Sequence, residues 1–550
     1  MATASAPKPS CASTSAGCGP CTRRSTGCSA RSPARAAEPA PLTRPSGKRQ
    51  TFSARRPAWM LRRLVAVLDP APERSYVQRT DVLSPDMRRT TVTTAAQRLG
   101  DFIAQLKAGR IPEPVLRAGK LHALDALGGG LAAQALGEAG YAAQSVREAG
   151  TSGPATAIGV ADGLPATDAA FVNGTLCHAL DFDDTHPNSV VHVSAGVVPA
   201  ALAAAQAHGA RGADLLVAII AGNETSIRIG NAGSGLFHAR GFHPTGVCGV
   251  FGATAAAAWL RGLDSAATAH ALGIAGSMAS GLLEFLADGA ETKRLHPGWA
   301  AQAGIAAARL AAYGATGPAT VLDGARGFLA AYLHGDETDI GGQVATLGEH
   351  WVTPEIAYKP YPACHYTHAP VDALAQVLAA NPVRPEEVAG ITAYTDATGV
   401  SLVCAPAEDK VRPRTPYDAK FSLPYCLAYR LVHGKLDVTS FTAEAIKDEL
   451  VLALTPKIGY ELRQYAPAPD AFGGGVSVST VDGKVHEAEL RYQRGGSENP
   501  LSDEDVIGKY RANAELALGS DRAAALEHAV LGLEEQNDLA ALAALAGAGG

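Results

Sequence analysis

The sequence predicts a mainly α-helical protein in which a large all-helical domain, completed by the C-terminal helices, carries a smaller α+β lid. Three observations predict it. From residue 93 to about 348, apolar stretches of helical length follow one another with Gly or Pro between them. After Trp351 the texture turns to β-branched and alternating segments, most clearly at 475–490 around Asp482-Gly483. Beyond Pro500 a helical Ala/Leu pattern returns, and its apolar face must bury against the first domain.

Residues 1–86 are rich in Pro, Ser, Arg and Ala, and hold no apolar period beyond 64–68. They are expected to be a disordered leader. They lack the apolar run of a secretory signal, and Met87 stands directly before Arg88-Arg89 and the first periodic helix. The expectation is therefore an over-extended start, with the protein beginning near Met87; an organellar leader is the alternative. Helices are predicted at 95–106, 112–135, 169–181, 213–229, 249–261, 265–274 and 300–313, which makes 87–356 the first part of the helical domain. Within 357–498, the α+β lid, a strand is predicted at 388–395 and a hairpin at 475–490, with helices at 369–378, 424–432 and 442–452. Residues 499–550 supply the second part of the helical domain.

Charge narrows the partners. The net charge of −6 hides a leader with 14 Lys/Arg against 5 Asp/Glu, so the remainder is strongly acidic and argues against nucleic acid. No stretch of 18 uninterrupted apolar residues exists, so no membrane partner is expected. Cys18-Gly-Pro-Cys21 has a zinc-like spacing without a His partner or folded context. The other cysteines, Cys177, Cys248, Cys364, Cys404 and Cys426, are scattered and odd in number, as expected for reduced thiols in the cytoplasm, and none has cluster-ligand spacing.

The chemistry concentrates at 178–192, where His178, His186 and His192 accompany Asp181, Asp183 and Asp184. Apolar residues at 169–176 and 190–205 place this segment in a packed interior, where so many titratable groups point to a site. The carboxylates can bind a divalent metal, position an imidazole or cap the following turn. The aspartate-rich run is similar to the diphosphate-binding Mg²⁺ motif of terpenoid synthases, but aromatics make up only 6% of the chain, too few to line a carbocation pocket. Glu224 and Arg228 stand at i,i+4, the spacing of a helix salt bridge. His243, in Gly241-Phe242-His243-Pro244-Thr245-Gly246, precedes a helix expected near Gly249, and a helix N-terminus beside an imidazole suits a carboxylate. Lys293, Arg294 and His296 stand before another Ala-rich helix and describe an anion pocket in an acidic protein. Pro360 and Pro362 stiffen the crossover that carries Lys359. Cys364 adjoins His365, but adjacency in sequence does not make a nucleophile and its base.

Taken in order, six segments resemble the MmgE/PrpD family. They are Asn173-Gly-Thr-Leu-Cys-His-Ala-Leu-Asp-Phe-Asp-Asp-Thr185, Phe242-His-Pro-Thr-Gly246, Thr292-Lys293 with His296-Pro-Gly-Trp-Ala300, Lys359-Pro-Tyr-Pro362, Phe421-Ser-Leu-Pro-Tyr425 and Gly496-Ser-Glu-Asn-Pro-Leu501. The resemblance covers roughly 93–542. It implies a site in the cleft between the helical domain and the lid, a homodimer, and a lyase without cofactor or metal that acts on a small-molecule polycarboxylate. Carried over residue by residue, it implies Asp181, Thr185, His192, His243 and Lys293 as catalytic and Lys293 and Lys359 as substrate-binding; Arg294 joins them from the anion pocket. The expected reaction is dehydration of a 2-methylcitrate-like polycarboxylate. Decarboxylation of cis-aconitate, or epimerisation of a dicarboxylate, is the enzymatic alternative, and a non-catalytic carboxylate-binding helical dimer the other. The decarboxylase branch carries a histidine where this chain has Cys364, and its lid tyrosine has no clear match at 402–404; both departures favour the dehydratase. Chemically, lysines hold the carboxylates, His192 and His243 exchange protons near neutral pH, and Asp181 orients a histidine.

Overall fold

The computed structural model describes residues 93–287, 289–465 and 471–546. The expected leader at 1–86, its Cys18 and Cys21, and the expected start at Met87 lie outside the described residues. The described residues belong to one compact unit.

The helical part opens with α1 (Ala95–Gln105), whose N-terminus is closed by a capping box between Thr94 and Gln97. There follow α2 (Glu113–Ala135), α3 (Gly140–Glu148), α4 (Ala166–Ala179), α5 (Ser194–His208) and α6 (Gly212–Ala232). Two short turns, α7 (Leu236–Ala239) and α8 (Pro244–Val247), lead into α9 (Gly249–Leu260), α10 (Ser265–Gly276) and α11 (Thr292–Ala312). Both α5 and α9 are apolar all round, lack the one-sided period that marks α1, and sit at the centre of the packing.

One boundary differs from the sequence expectation in a way that matters for the site. Helix α11 begins at Thr292, not near 300, and runs through Pro297. A proline ordinarily stops a helix by removing its N–H and crowding the carbonyl four residues back, here that of Lys293. Here α11 crosses α4 backbone against backbone. A Cβ on Gly298 would lie 2.4 Å from Thr175 Oγ1 and 2.5 Å from the Phe171 carbonyl, and one on Gly174 would lie 2.8 Å from Gly298 Cα. Only glycine allows the crossing, which sets the first turn of α11, with Lys293, beside the end of α4.

The α+β part contains α12 (His368–Ala380), β1 (Val388–Thr395), α13 (Leu423–His433), β2 (Ile458–Leu462), β3 (Gly474–Thr480) and β4 (Val485–Leu490). The sheet order is β2-β1-β3-β4, with β1 and β2 parallel and the other pairs antiparallel. The predicted hairpin is β3–β4, and Gly483 supplies the left-handed turn residue at φ +86°. Strand β2 escapes the sequence pattern because it is a short edge with only Ile458 buried. The helix expected at 442–452 is divided into a turn at Ala445–Lys447 and a helix at Glu449–Leu454, since the Asp448 carboxylate accepts from the Leu450 and Val451 amides and starts a new helix there. One core cluster, including Val371, Ile391, Leu427 and Val476, fills this part.

The C-terminal helices α14 (Asp503–Leu518), α15 (Ser520–Leu531) and α16 (Ala540–Ala546) return to the helical part. Val506, Ile507 and Tyr510 of α14 share a core with Leu124, Leu127 and Leu131 of α2. The fold is thus mainly α, completed by the C-terminal helices, with a smaller α+β part. Among the described residues no helix is long and apolar enough to cross a membrane.

Candidate active site

The segment between α4 and α5 is built to point three carboxylates in three directions. Helix α4 ends at Ala179, and Asp181 adopts a left-handed backbone at φ +54°, a conformation that Asp tolerates better than most residues. Its carboxylate faces two ammonium groups: Oδ1 lies 2.6 Å from Lys293 Nζ and 3.1 Å from Lys359 Nζ, and Lys359 also donates to the Asp181 carbonyl at 2.9 Å. Burial alone would raise the Asp181 pKa, but the two lysines hold it well below the usual carboxylate range. Conversely, burial pulls Lys293 down, and Asp181 more than offsets it.

Asp183 takes the opposite direction. His178 Nδ1 donates to its Oδ2 at 2.7 Å, and His192 Nδ1 lies 3.3 Å from the same oxygen and 3.0 Å from Thr185 Oγ1. With Nδ1–H of both rings committed there, each Nε2 is the free, basic nitrogen; His178 Nε2 is buried and unpartnered. Burial would raise the Asp183 pKa, but the imidazoles hold it low, while burial pushes His178 down to about 4. Asp183 is thus the ionised partner of a neutral His178. Asp184 turns into the core, accepting from the amide and hydroxyl of Ser194 at the start of α5 and lying 2.8 Å from His122 Nδ1.

The third imidazole comes from the N-cap of α8. The chain is helical from Pro244, earlier than Gly249, so His243 is itself the cap, fixed by its amide bond to the Gly281 carbonyl at 2.9 Å. Its ring centroid is 5.6 Å from that of His178 and 6.0 Å from that of His192, which are 4.7 Å apart. His243 Nδ1 lies 3.0 Å from His296 Nδ1 on α11. Burial keeps His243 well below its ordinary pKa, and burial with the neighbouring charges lowers His296 to about 4. The Thr245 hydroxyl accepts from the His192 amide at 3.1 Å and ties the two loops together. One nitrogen from each of His178, His192 and His243 lies within 4.8 Å of the others, a spacing that could also hold a metal ion.

Asp181, Thr185, His192, His243, Lys293 and Lys359 therefore meet in one place, although they come from four distant segments. Two expectations change. Asp181 does not orient a histidine; its left-handed backbone turns it to the lysines, and Asp183, two residues on, orients the imidazoles. Arg294 is not free for substrate, since its guanidinium is shared between Glu138 at 2.6 Å and Glu291 at 2.8 Å. Glu224 and Arg228 form the expected helix salt bridge, 3.2 Å apart and buried, and Glu224 also accepts from the Val352 and Thr353 amides, a structural role. Cys364 is buried with its thiol pushed up by burial, which leaves it a poor nucleophile.

His178 and Asp183 stand in the quoted motifs without a role of their own, and His296 only as a member of the anion pocket; the sequence does not show the pairing of His178 with Asp183 or of His296 with His243. Lys420 carried no signal at all. It is buried, donates to the carbonyls of Leu180 and Pro362, and is pushed down to about 7 by burial, against the pull of Asp181. Chemically, the site sets three imidazoles beside a cationic patch whose lysines share one carboxylate, which is equipment for moving protons on a polyanion.

The family model of the MmgE/PrpD N-terminal domain matches residues 97–341, and that of the C-terminal domain matches 361–535. Cis-aconitate decarboxylase of Mus musculus is 30% identical over 463 residues, covering 82% of this chain and 93% of the mouse protein. The Homo sapiens protein of that name is 32% identical over 448 residues, covering 80% of this chain and 92% of its own length. A cis-aconitate decarboxylase-like protein of Aspergillus oryzae, oryM, is 29% identical over 468 residues, 81% of this chain and 96% of its own. The chain belongs to the MmgE/PrpD family and is an enzyme of the lyase type.

Proposed function

We propose that this lyase removes carbon dioxide from cis-aconitate, or a closely similar tricarboxylate, without a cofactor. The observation that carries the reading is the facing arrangement of the Asp183-supported imidazoles and the Lys293–Asp181–Lys359 group. The lysines hold carboxylates, and His192 and His243 handle the proton. In the balanced step, the bond between the methylene carbon and its carboxylate breaks, its electron pair forms the new terminal C=C to the central carbon, and the π pair of the old alkene moves to its outer carbon, which takes one proton from a histidine. The products are itaconate and carbon dioxide; no oxidant or reductant is needed. Asp183 lies beside both His178 and His192 and balances a proton carried on either ring.

The named relatives are cis-aconitate decarboxylases and a cis-aconitate decarboxylase-like protein, and this support displaces dehydration of 2-methylcitrate as the first reading. Dehydration remains the second, favoured by Cys364, a thiol where the decarboxylase branch carries an imidazole. We further infer that 357–498 act as a lid on the helical part formed by 87–356 and 499–550, and that the enzyme is a homodimer in solution, which light scattering would test. The deciding experiment is proton NMR on the purified full chain with cis-aconitate and 2-methylcitrate in parallel, with a His192→Ala control. Itaconate that vanishes in the control supports the reading. A new alkene from 2-methylcitrate alone would replace it with the dehydratase.

A further inference from the structure

Beside Lys293 and Arg294 lies a cavity of about 240 Å³, and its far wall is the segment Thr415, Pro416 and Tyr417 from the α+β part. This wall is fixed at both ends. Thr415 caps the helical turn Pro416–Lys420 by accepting from the Asp418 amide at 3.0 Å, and Lys420, one turn after Tyr417, is pinned to the carbonyls of Leu180 and Pro362. Residues three apart in a helical turn share a face, so the anchor that holds Lys420 at the start of the Asp181 segment also directs Tyr417 there. The ring is braced by Phe421 at 5.3 Å between centroids. Its hydroxyl is buried and has no hydrogen-bond partner, within electrostatic reach of Lys293, Asp181, Arg294 and Cys364.

A buried, unpartnered hydroxyl is unfavourable, and such groups in native structures call for an explanation. Lys293 already spends its ammonium on Asp181, so an incoming carboxylate at this cation needs a second donor. We propose that Tyr417 is a further substrate-binding residue, whose hydroxyl donates a hydrogen bond to the carboxylate that Lys293 attracts. The proposal rests on the polycarboxylate reading of the site. Burial raises the phenol above its ordinary pKa, so the group stays a donor across the neutral range.

The test is Tyr417→Phe in the full chain, which keeps the ring and its contact with Phe421. A lost hydrogen bond to a charged carboxylate corresponds to roughly 10- to 100-fold in affinity. The expected result is a KM for cis-aconitate raised by about that factor with kcat within about threefold, and the same weakening in calorimetric binding of tricarballylate, a saturated tricarboxylate. The thermal midpoint of the ligand-free variant should equal or exceed that of the parent, because no partner of the hydroxyl is lost. Unchanged KM and unchanged tricarballylate affinity overturn the proposal, as does a lowered ligand-free midpoint with a fallen kcat, which would mark a structural hydroxyl. Should the parent bind tricarballylate but leave cis-aconitate intact, the assigned reaction fails, while weakened binding in the variant still supports Tyr417. A parent that binds no tricarboxylate overturns both.

Discussion

Replacing Asp181 by Asn isolates the electrostatics of the site. Asp181 is 3% exposed, and its carboxylate is the shared partner of Lys293 and Lys359, which are themselves buried or nearly so. Removing its charge leaves two ammonium groups facing each other without compensation, and breaking a buried pair from one side costs about 3–5 kcal/mol. The backbone argument separates this from a steric effect. Asp181 sits at φ +54°, which Asn adopts readily and Ala does not, the left-handed penalty for an ordinary L-residue being about 1–2 kcal/mol. Urea unfolding at pH 7 should therefore show Asp181→Asn less stable than the parent by about 3–5 kcal/mol, and Asp181→Ala less stable again by about 1–2 kcal/mol. Adding Lys359→Met to Asp181→Asn should recover part of the loss, because it removes one of the stranded cations, and the double-mutant cycle should show coupling above about 1 kcal/mol. A loss below about 1 kcal/mol for Asp181→Asn, or indistinguishable Asn and Ala variants, would refute this account of the lysine pair.

Other outcomes follow from the same geometry. His192→Ala and His243→Ala should each lower kcat by about 10² to 10⁴-fold, measured by itaconate release; a variant that loses less than tenfold carries no proton in the rate-limiting step. Stability should fall as the pH drops from about 6.5 to about 4, because His178 binds its proton only near 4 in the folded protein but at 6.5 when unfolded, so the unfolded state takes up more protons in that window. For this residue alone the shift corresponds to about 3 kcal/mol, and denaturant midpoints that stay flat between pH 6.5 and 4.5 would contradict a neutral buried imidazole. Exhaustive chelation should leave turnover unchanged; an activity that chelator abolishes and zinc restores would make His178, His192 and His243 a metal centre.

The sequence is legible where one residue type serves one purpose. The amphipathic period of α1 and the Asp-Gly turn of the β3–β4 hairpin report themselves, since each is a local pattern with a local cause. The start of α11 is not legible, because Pro297 ordinarily ends a helix, and the partner that α11 crosses, Gly174 of α4, lies more than a hundred residues away in the chain. The same division runs through the site. His192, His243, Lys293 and Lys359 stand in motifs dense with polar groups, so they can be nominated from sequence. Which carboxylate serves which cation cannot, because the left-handed backbone that turns Asp181 to the lysines leaves no mark in the sequence. Tyr417 and Lys420 lie outside the polar-dense motifs, and only the folded chain marks them, through the bond of Lys420 to the Leu180 carbonyl and the place of Tyr417 on the wall of the cavity beside Lys293.

The charge of the site also suits the proposed polyanionic substrate better than a single carboxylate. Lys293 and Lys359 surround one carboxylate, with Lys420 against the adjoining carbonyl, so the region holds more positive charge than Asp181 neutralises. A ligand with one carboxylate relieves this repulsion at one lysine only, whereas a tricarboxylate brings enough negative charge to answer the cations and to extend toward the imidazoles. That charge acts on the histidines as well. Burial, with His178 and Lys293 nearby, holds His243 well below its ordinary pKa, and an incoming carboxylate works in the opposite direction by favouring the protonated ring. Binding of the proposed substrate thus draws a proton into the cluster that must deliver one, which couples recognition of the polyanion to the readiness of the acid.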